Sequence, residues 1–229
     1  NRLVYKFVSK KKYDIIFKYD FWKKYTFLSK LNIKDFDQYF NIRPPKENLK
    51  KDSDFFATQS VWNLIRNENI LDIIEKLIGS EINSNPVQNS RIKQPEKFLK
   101  KKIIYDGLSG RTPWHQDAGV LSQRGQKYTD LITCWIPFTK TTKKNGCMIT
   151  VPGLQKKGLF NHDADLKGQA YIRNSELLNK LKTVALEANP GDIVLLSKHT
   201  VHCSLPNISN NFRISMDLRY HKSGQPSGR

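Results

Sequence analysis

The segment Trp114-His115-Gln116-Asp117 contains residues whose types and spacing suit metal binding. On an extended segment, residues i and i+2 point to the same face, so His115 and Asp117 would lie side by side. His202, far along the chain, would add a second imidazole. Two histidines and one carboxylate are the ligand set typical of non-haem Fe(II) oxygenases, where the remaining metal positions stay open for a co-substrate and dioxygen.

Arg213 follows His202 near the start of a predicted final strand. Its planar guanidinium can hold a carboxylate through two hydrogen bonds, and it stays charged at any working pH. The dicarboxylate 2-oxoglutarate needs such a group, because its keto acid end chelates iron while its second carboxylate must be anchored at a distance. Arg213 is therefore a candidate anchor for this co-substrate.

Several blocks, in a fixed order along the chain, resemble one known family. They are Thr112 to Asp117, Thr133 to Pro137, Asn145 to Met148, Val151 to Gly153 and Lys157 to Leu159, followed by His202, Ser204, Asn207 and Arg213. Over residues 83–221 they resemble the phytanoyl-CoA dioxygenase family of Fe(II)/2-oxoglutarate-dependent oxygenases. Ordered blocks are more specific than any single motif. Gln155 departs from the family pattern, which often has His there, but this departure does not affect the metal ligands.

The resemblance implies a set of site residues and a reaction. Iron would be bound by His115, Asp117 and His202, and 2-oxoglutarate would be anchored by Arg213. The Ser204 hydroxyl would assist Arg213, and Trp135 would line the co-substrate pocket. Related halogenases have a small residue in place of the carboxylate, so Asp117 favours oxygenation. The implied reaction hydroxylates a small organic molecule with dioxygen, while 2-oxoglutarate is oxidatively decarboxylated to succinate and carbon dioxide.

Other parts of the chain are predicted to complete the pocket. We expect Asn89 and Arg91, on an early strand, to contact the bound co-substrate or substrate. Loops 120–128 and 159–171 would set substrate specificity, since loops on a rigid scaffold commonly carry such contacts. His162 lies in the second loop, where it is either a plain loop residue or a group that faces the substrate.

His199 competes with His202 as the distant metal ligand, because strand periodicity alone does not choose between them. The family spacing to Ser204 and Arg213 fits only when it is counted from His202. We therefore predict that His199 is a core or supporting histidine. His221 is predicted to lie at the surface.

The composition bounds the class of protein. A chain of 229 residues with 38% hydrophobic residues suits one domain with a sizeable core. The chain has no apolar stretch near the roughly 20 residues that span a bilayer. Three cysteines at no metal-binding spacing predict free thiols in a reducing compartment, which favours the cytoplasm.

The net charge of +18 comes mainly from scattered lysines. Basic and aromatic residues do not interleave as a base-stacking surface would require, so a nucleic-acid partner is not expected. We interpret the charge mainly as a compositional background. A secondary interpretation is that it attracts an anionic small-molecule substrate.

The predicted organisation changes near residue 83. Residues 1–82 are expected to be mostly helical, including a helical stripe that Gly79 ends. Residues 83–221 contain short apolar runs between turn residues, which are typical of strands. These runs are 100–105, 113–118, 129–138, 147–152, 183–188, 192–197, 199–203 and 212–220. With the metal motif, they predict a mainly β double-stranded β-helix, or jelly roll, with the N-terminal helices packed outside the barrel in a single domain, 1–229.

Two rival functions remain open. One is an oxygenase of the same chemistry that demethylates nucleic acid, which would explain the positive charge and the Arg213-Ile214-Ser215-Met216 ending. Affinity for single-stranded DNA that survives physiological salt would favour this function. A jelly roll that only binds ligands would fail to bind iron.

Overall fold

The computed structural model describes residues 2–31, 58–99, 110–165 and 169–228. Contacts between residues divide the chain into two units, residues 1–40 and 41–229. The prediction that the whole chain is a single domain stays a prediction.

The first unit is helical in its described part. Its helices are α1 (Arg2–Phe7), α2 (Lys10–Phe17) and α3 (Phe21–Ser29). Val4, Ile16 and Leu28 form its small apolar core. The Asp20 carboxylate accepts a hydrogen bond from the Lys23 backbone N–H at 2.8 Å and so caps the start of α3.

The second unit consists mainly of short strands, with three α-helices in its described part. The helices are α4 (Gln59–Ile65), α5 (Glu68–Ile78) and α6 (Gln123–Tyr128). The strands are β1 (Ile82–Ser84), β2 (Asn89–Lys93), β3 (Ile132–Pro137), β4 (Met148–Thr150), β5 (His162–Ala164), β6 (Ala170–Ile172), β7 (Val184–Leu186), β8 (Val194–Ser197), β9 (His202–Ser204) and β10 (Arg213–Lys222).

A five-stranded antiparallel sheet is built around the long strand β10. Its strand order is β1-β10-β3-β8, and β2 also pairs with β10. Successive side chains of a strand face opposite sides of the sheet. Met216, Leu218 and Tyr220 therefore face one side, where they pack with Ile70 and Ile74 of α5. The alternate residues of β10, including Arg213, Asp217 and Arg219, are buried on the other side.

Helix α5 covers the outer face of this sheet. The Asn67 side chain caps its first turn, and the helix ends at Gly79, whose φ of +89° suits glycine. Burial of Ile70 and Ile74 removes about 1.5–3 kcal/mol of unfavourable hydration for each side chain. The predicted helical stripe and its end at Gly79 are confirmed.

A second, three-stranded antiparallel sheet has the order β7-β4-β9. Trp135 and Leu196 of the larger sheet pack with Met148 of the smaller sheet and with Ala188. Two antiparallel sheets joined by a shared core, with few helices, form a jelly roll. The predicted fold is confirmed, with α5 outside the barrel as expected.

Each predicted strand run from residue 129 onwards overlaps an observed strand, whereas the prediction for 113–118 is wrong. Residues 113–118 do not form a strand, because a 3₁₀ turn spans Asp117–Val120. Two segments predicted as loops contain regular elements: helix α6 lies within 120–128, and most of the β5–β6 hairpin lies within 159–171. The predicted strand 100–105 lies outside the described residues. Among the described residues, no helix has both the length and the apolar character needed to cross a membrane.

Candidate metal centre and co-substrate pocket

The side chains of His115, Asp117 and His202 meet in one buried cluster. One candidate ligand atom from each residue lies within 4.8 Å of the others. The backbones of His115 and His202 pair directly, with N–H to carbonyl distances of 2.9 and 3.0 Å. Asp117 begins the 3₁₀ turn, and its carboxylate Oδ1 lies 3.8 Å from Nε2 of His115. The three residues predicted as ligands are therefore brought together.

Both ring orientations are fixed by backbone carbonyls. Nδ1 of His115 lies 2.9 Å from the Pro113 carbonyl, and Nδ1 of His202 lies 2.9 Å from the Thr200 carbonyl. A carbonyl only accepts, so each Nδ1 carries the proton and each Nε2 presents a lone pair. Burial and repulsion from His202 lower the pKa of His115 to about 3. Imidazoles held in this orientation, with Nε2 directed into the cluster, fit a divalent metal.

The Asp117 carboxylate is held by two residues that sequence reasoning missed. The Arg219 guanidinium donates to Oδ1 at 2.7 Å, and the Thr133 hydroxyl donates to Oδ2. Burial opposes ionisation of Asp117, but the Arg219 cation beside the carboxylate outweighs it and lowers the pKa. Two-residue alternation from Arg213 along the predicted strand places Arg219 on the site face, and this was the signal available in the sequence.

Gln116, between two ligands, points away from the cluster and holds the surrounding loops. Its amide nitrogen donates to the carbonyls of Gly158 and His199, each at 2.8 Å, and its amide oxygen accepts from the Phe160 N–H at 2.8 Å. Its backbone N–H donates to Nε2 of His162 at 3.0 Å. His162 thus supports the ligand segment and lies outside the metal cluster.

Gly119 makes room for the His162 ring. A Cβ atom at position 119 would lie 2.4–2.6 Å from three atoms of that ring. We expect Gly119→Ala to displace the ring, to break its bond to Gln116 and to lower the free energy of unfolding by about 1–3 kcal/mol. Urea unfolding measures the loss. The double variant Gly119→Ala/His162→Ala should lose less than the sum of the two single variants, whereas full additivity would contradict this packing account.

Arg213 is buried, with 3% of its surface exposed. Its NH1 group donates to the Ser215 hydroxyl at 2.8 Å, and its guanidinium carbon lies 5.4 Å from the centre of the Trp135 ring. Among the described residues, its Nε has no hydrogen-bond partner. Burial and repulsion from Arg91 lower its pKa to about 10, so it stays a cation near neutral pH. A buried cation with an unused N–H fits an anionic ligand such as the far carboxylate of 2-oxoglutarate.

One pocket connects the metal cluster with Arg213. Its lining includes both candidate ligand histidines, Trp135, Ser204 and Arg213. Ser204 accepts hydrogen bonds from Nζ of Lys93 at 2.6 Å and from the Thr112 N–H at 2.8 Å. Sequence reasoning missed Lys93, although it lies two residues after Arg91 on the same strand face.

The predictions that Arg91 and Asn89 help to form the pocket have different outcomes. Arg91 lines the pocket, but its guanidinium also forms a salt bridge with Asp217 at 2.8 Å. Asn89 is buried opposite Asp217 in the strand register, and it is not among the described residues that line the pocket. A direct contact from either residue to a bound molecule stays a prediction.

The remaining histidines lie outside the cluster. His199 is half-buried, and its backbone carbonyl accepts from Gln116. His221 is buried and lies 3.3 Å from the Asn85 amide nitrogen, so the prediction of a surface position is wrong. The C-terminal segment causes the burial, since Asn85 also donates to the Ser227 carbonyl at 2.9 Å.

The three cysteines are all described, and each is a buried free thiol. Burial raises the pKa of Cys203, next to a ligand, to about 12. The thiol therefore stays protonated and serves as packing, because reactivity requires the thiolate.

Comparisons with known proteins agree with this geometry. The profile of the family described as Phytanoyl-CoA dioxygenase (PhyH) matches residues 23–215. A probable phytanoyl-CoA dioxygenase of Caenorhabditis elegans is 26% identical over 177 residues, which are 75% of this chain and 54% of that protein. A 2-aminoethylphosphonate dioxygenase of the uncultured bacterium HF130_AEPn_1 is 29% identical over 163 residues, 69% of this chain and 59% of that protein. The chain thus spans a little over half the length of these two relatives.

A solved structure supports the fold. The epimerase SnoN in complex with Fe3+, alpha ketoglutarate and nogalamycin RO matches with a TM-score of 0.55 and 21% identity. The match covers 76% of this chain and 64% of SnoN, and at this identity it shows the fold alone. The profile match extends over most of the sequence, including all three residues of the metal cluster. The chain therefore belongs to the phytanoyl-CoA dioxygenase family.

Proposed function

We propose that this protein is an Fe(II)- and 2-oxoglutarate-dependent oxygenase that hydroxylates a small organic molecule. The observation that carries the proposal is the buried cluster of His115, Asp117 and His202. The two histidines of this cluster line the same pocket as Arg213. Iron, 2-oxoglutarate and dioxygen would supply the oxidising chemistry, with succinate and carbon dioxide as the products of the co-substrate.

The chain's own residues would orient the reactants and exclude water. His115 and His202 would each offer Nε2 to the metal, and Asp117 would offer one carboxylate oxygen. Arg219 holds that carboxylate in place through a 2.7 Å hydrogen bond. Arg213, beside the Trp135 ring, would hold the far carboxylate of 2-oxoglutarate. Preorganised partners of this kind lower the cost of positioning the reactants.

The substrate we propose is a small anionic molecule. The net charge of +18 would draw an anion towards the protein. One relative is named 2-aminoethylphosphonate dioxygenase, the name of an enzyme for a small phosphonate. The three free thiols favour a reducing compartment, and we propose the cytoplasm.

The test is an aerobic assay of succinate formation with Fe(II), 2-oxoglutarate and a panel of small phosphonates and carboxylates. The proposal predicts that succinate forms only when Fe(II) is present and that one compound of the panel increases its formation. That compound should gain a hydroxyl group. Asp117→Ala, which removes a ligand carboxylate, should give no succinate. Succinate formation that is equal in the wild type and in Asp117→Ala would contradict the proposal.

Arg213→Ala is expected to raise the dissociation constant for 2-oxoglutarate by about 10–100-fold, because a charge-assisted contact contributes about 1.5–3 kcal/mol. Anaerobic calorimetry on the metal-loaded protein measures this constant. Arg66→Ala is the control, since Arg66 is exposed at the end of α4. An Arg213→Ala protein that binds 2-oxoglutarate as tightly as the Arg66→Ala protein would remove Arg213 from the site.

A further inference from the structure

The chain after β10 folds back as a strap, residues 225–228, onto the loop that carries α6. The Ser122 N–H donates to the Gly228 carbonyl at 2.8 Å, and the Asp130 N–H donates to the Gln225 side chain at 2.9 Å. Ser122 and Asp130 lie on either side of α6 in the sequence. The strap is therefore tied to both ends of this loop.

The strap and the loop also pack closely. A Cβ atom at position 125 would lie 2.4 Å from Cα of Gly228, and one at position 228 would lie 2.7 Å from Cδ2 of Leu121. Dispersion contacts of this kind depend steeply on distance. A displaced strap would therefore lose its packing against the loop as well as its hydrogen bonds.

Asn85 anchors the strap from the opposite direction, and its contacts fix which way its buried amide points. Its Oδ1 accepts from the Val87 N–H at 2.9 Å, and its Nδ2 donates to the Ser227 carbonyl at 2.9 Å. An exchange of the amide oxygen and nitrogen would place a donor against a donor and an acceptor against an acceptor. The atom that faces Nδ1 of His221 at 3.3 Å is therefore the donor Nδ2.

His221 can accept this hydrogen bond only as a neutral ring. Both nitrogens of an imidazolium carry a proton, so the charged ring has no acceptor. The ring is buried, and burial lowers the pKa of His221 below its usual value of 6.5, although a backbone hydrogen bond to Gln225 acts in the opposite direction. At neutral pH the ring accepts from Asn85, and in acid an N–H would face the Asn85 donor instead.

The charged groups around His221 leave this contact in control. The ionisable neighbours among the described residues are Arg219 and Lys222 on β10, Glu81 before β1, and Asp130 beside the strap. Arg219 donates to Asp117 at 2.7 Å, and the other three are exposed. Residues 85–88 and the strap itself have no ionisable side chain. None of the four charges acts on the pKa of His221.

We propose that His221 is an acid-sensitive latch, because its protonation breaks the contact with Asn85 and releases the strap from the loop that carries α6. This loop follows the 3₁₀ turn that begins at the candidate ligand Asp117. Release would therefore loosen the chain next to the metal cluster. The inference does not depend on the proposed function.

The test is hydrogen–deuterium exchange on the metal-free protein at pH 7.5 and pH 5.0, corrected for the intrinsic effect of pH on exchange. Because the pKa is lowered in the folded protein, the neutral contact is complete above pH 6.5 and is lost as the pH falls through the folded-state value. The backbone amides of Ser122 and Asp130, which bond to the strap, should lose protection by at least about tenfold at pH 5.0.

His221→Asn is the matched variant, since its amide oxygen can replace Nδ1 as an acceptor and does not titrate. We expect the protection of these amides in His221→Asn to differ by less than about twofold between the two pH values. His199→Asn removes a different histidine, outside this contact, and should respond to pH as the wild type does.

Two exchange results would overturn the inference. One is unchanged protection of Ser122 and Asp130 in the wild type at pH 5.0, and the other is an equal loss in the wild type and in His221→Asn. Nitrogen NMR of the wild-type ring gives a test that needs no variant. The latch requires a proton on Nε2 and none on Nδ1 at pH 7.5, so a ring protonated on Nδ1 at that pH would also overturn it.

Discussion

His202→Ala is expected to lower the affinity for Fe(II) by at least about a hundredfold and to abolish succinate formation. Removal of a side chain that only orients a metal ligand already lowers metal affinity by about 10–100-fold. His202 is itself one of three candidate ligands, so its removal should lower the affinity further. Its Nδ1 lies 2.9 Å from the Thr200 carbonyl, which orients Nε2 towards the cluster. Anaerobic metal titration by calorimetry measures the effect.

His199→Ala is the matched control, because it removes an imidazole only three residues away. The His199 ring lies outside the cluster, and Gln116 uses only its backbone carbonyl. We expect metal affinity within about twofold of the wild type, since no ligand is lost. Loss of metal in His199→Ala with retention in His202→Ala would reverse the ligand assignment.

Arg219→Met is expected to destabilise the metal-free protein by about 3–5 kcal/mol, the usual cost of leaving a buried charge without its partner. Arg219 donates to Asp117 at 2.7 Å and lies 3.9 Å from a carboxylate oxygen of Asp217. It also donates to the Val87 carbonyl at 2.7 Å. Removal of this guanidinium leaves two buried carboxylates with less compensating charge.

A divalent metal should restore much of this loss, because it supplies positive charge to Asp117 in place of Arg219. We therefore expect metal to stabilise Arg219→Met more than it stabilises the wild type, as measured by urea unfolding with and without Mn(II). Arg173→Met is the control, since it breaks an exposed ion pair with Asp163 and should show no such metal dependence. Equal stabilisation of all three proteins by metal would show that Asp117 is not a ligand.

The ligand set could be predicted because it depends on residue types at a short spacing and on a family resemblance. The expectation that His115 and Asp117 lie side by side on one extended segment was only partly right. The chain is extended through Gln116 but turns into a 3₁₀ segment at Asp117, and the Ala118 N–H donates to the Lys198 carbonyl at 2.9 Å. A long-range contact of this kind leaves no local pattern in the sequence.

The supporting charges were missed for a different reason. Lys93 and Arg219 looked like ordinary surface residues in a chain with 39 lysines and arginines. Their burial follows from strand pairing that places them on the inner face of the larger sheet with Arg213. Alternation along β10 from Arg213 could have identified Arg219, and alternation along β2 from Arg91 could have identified Lys93.

The burial of His221 could not be predicted from its position near the end of a strand. It was predicted to lie at the surface, but only 3% of its surface is exposed. The residues that follow β10 fold back, and the Pro226 carbonyl accepts a hydrogen bond from the Thr129 hydroxyl. Contacts between positions almost one hundred residues apart are set by tertiary packing, which composition and periodicity do not encode.

The most direct test of the central claim is an anaerobic titration of the purified protein with Fe(II) and 2-oxoglutarate. We predict a weak visible charge-transfer band that requires both components and is absent in His202→Ala. In Arg213→Ala the same band should appear only at higher 2-oxoglutarate concentration. Folded wild-type protein that gives no band would contradict the oxygenase account and would leave a basic jelly-roll binding module as the better description.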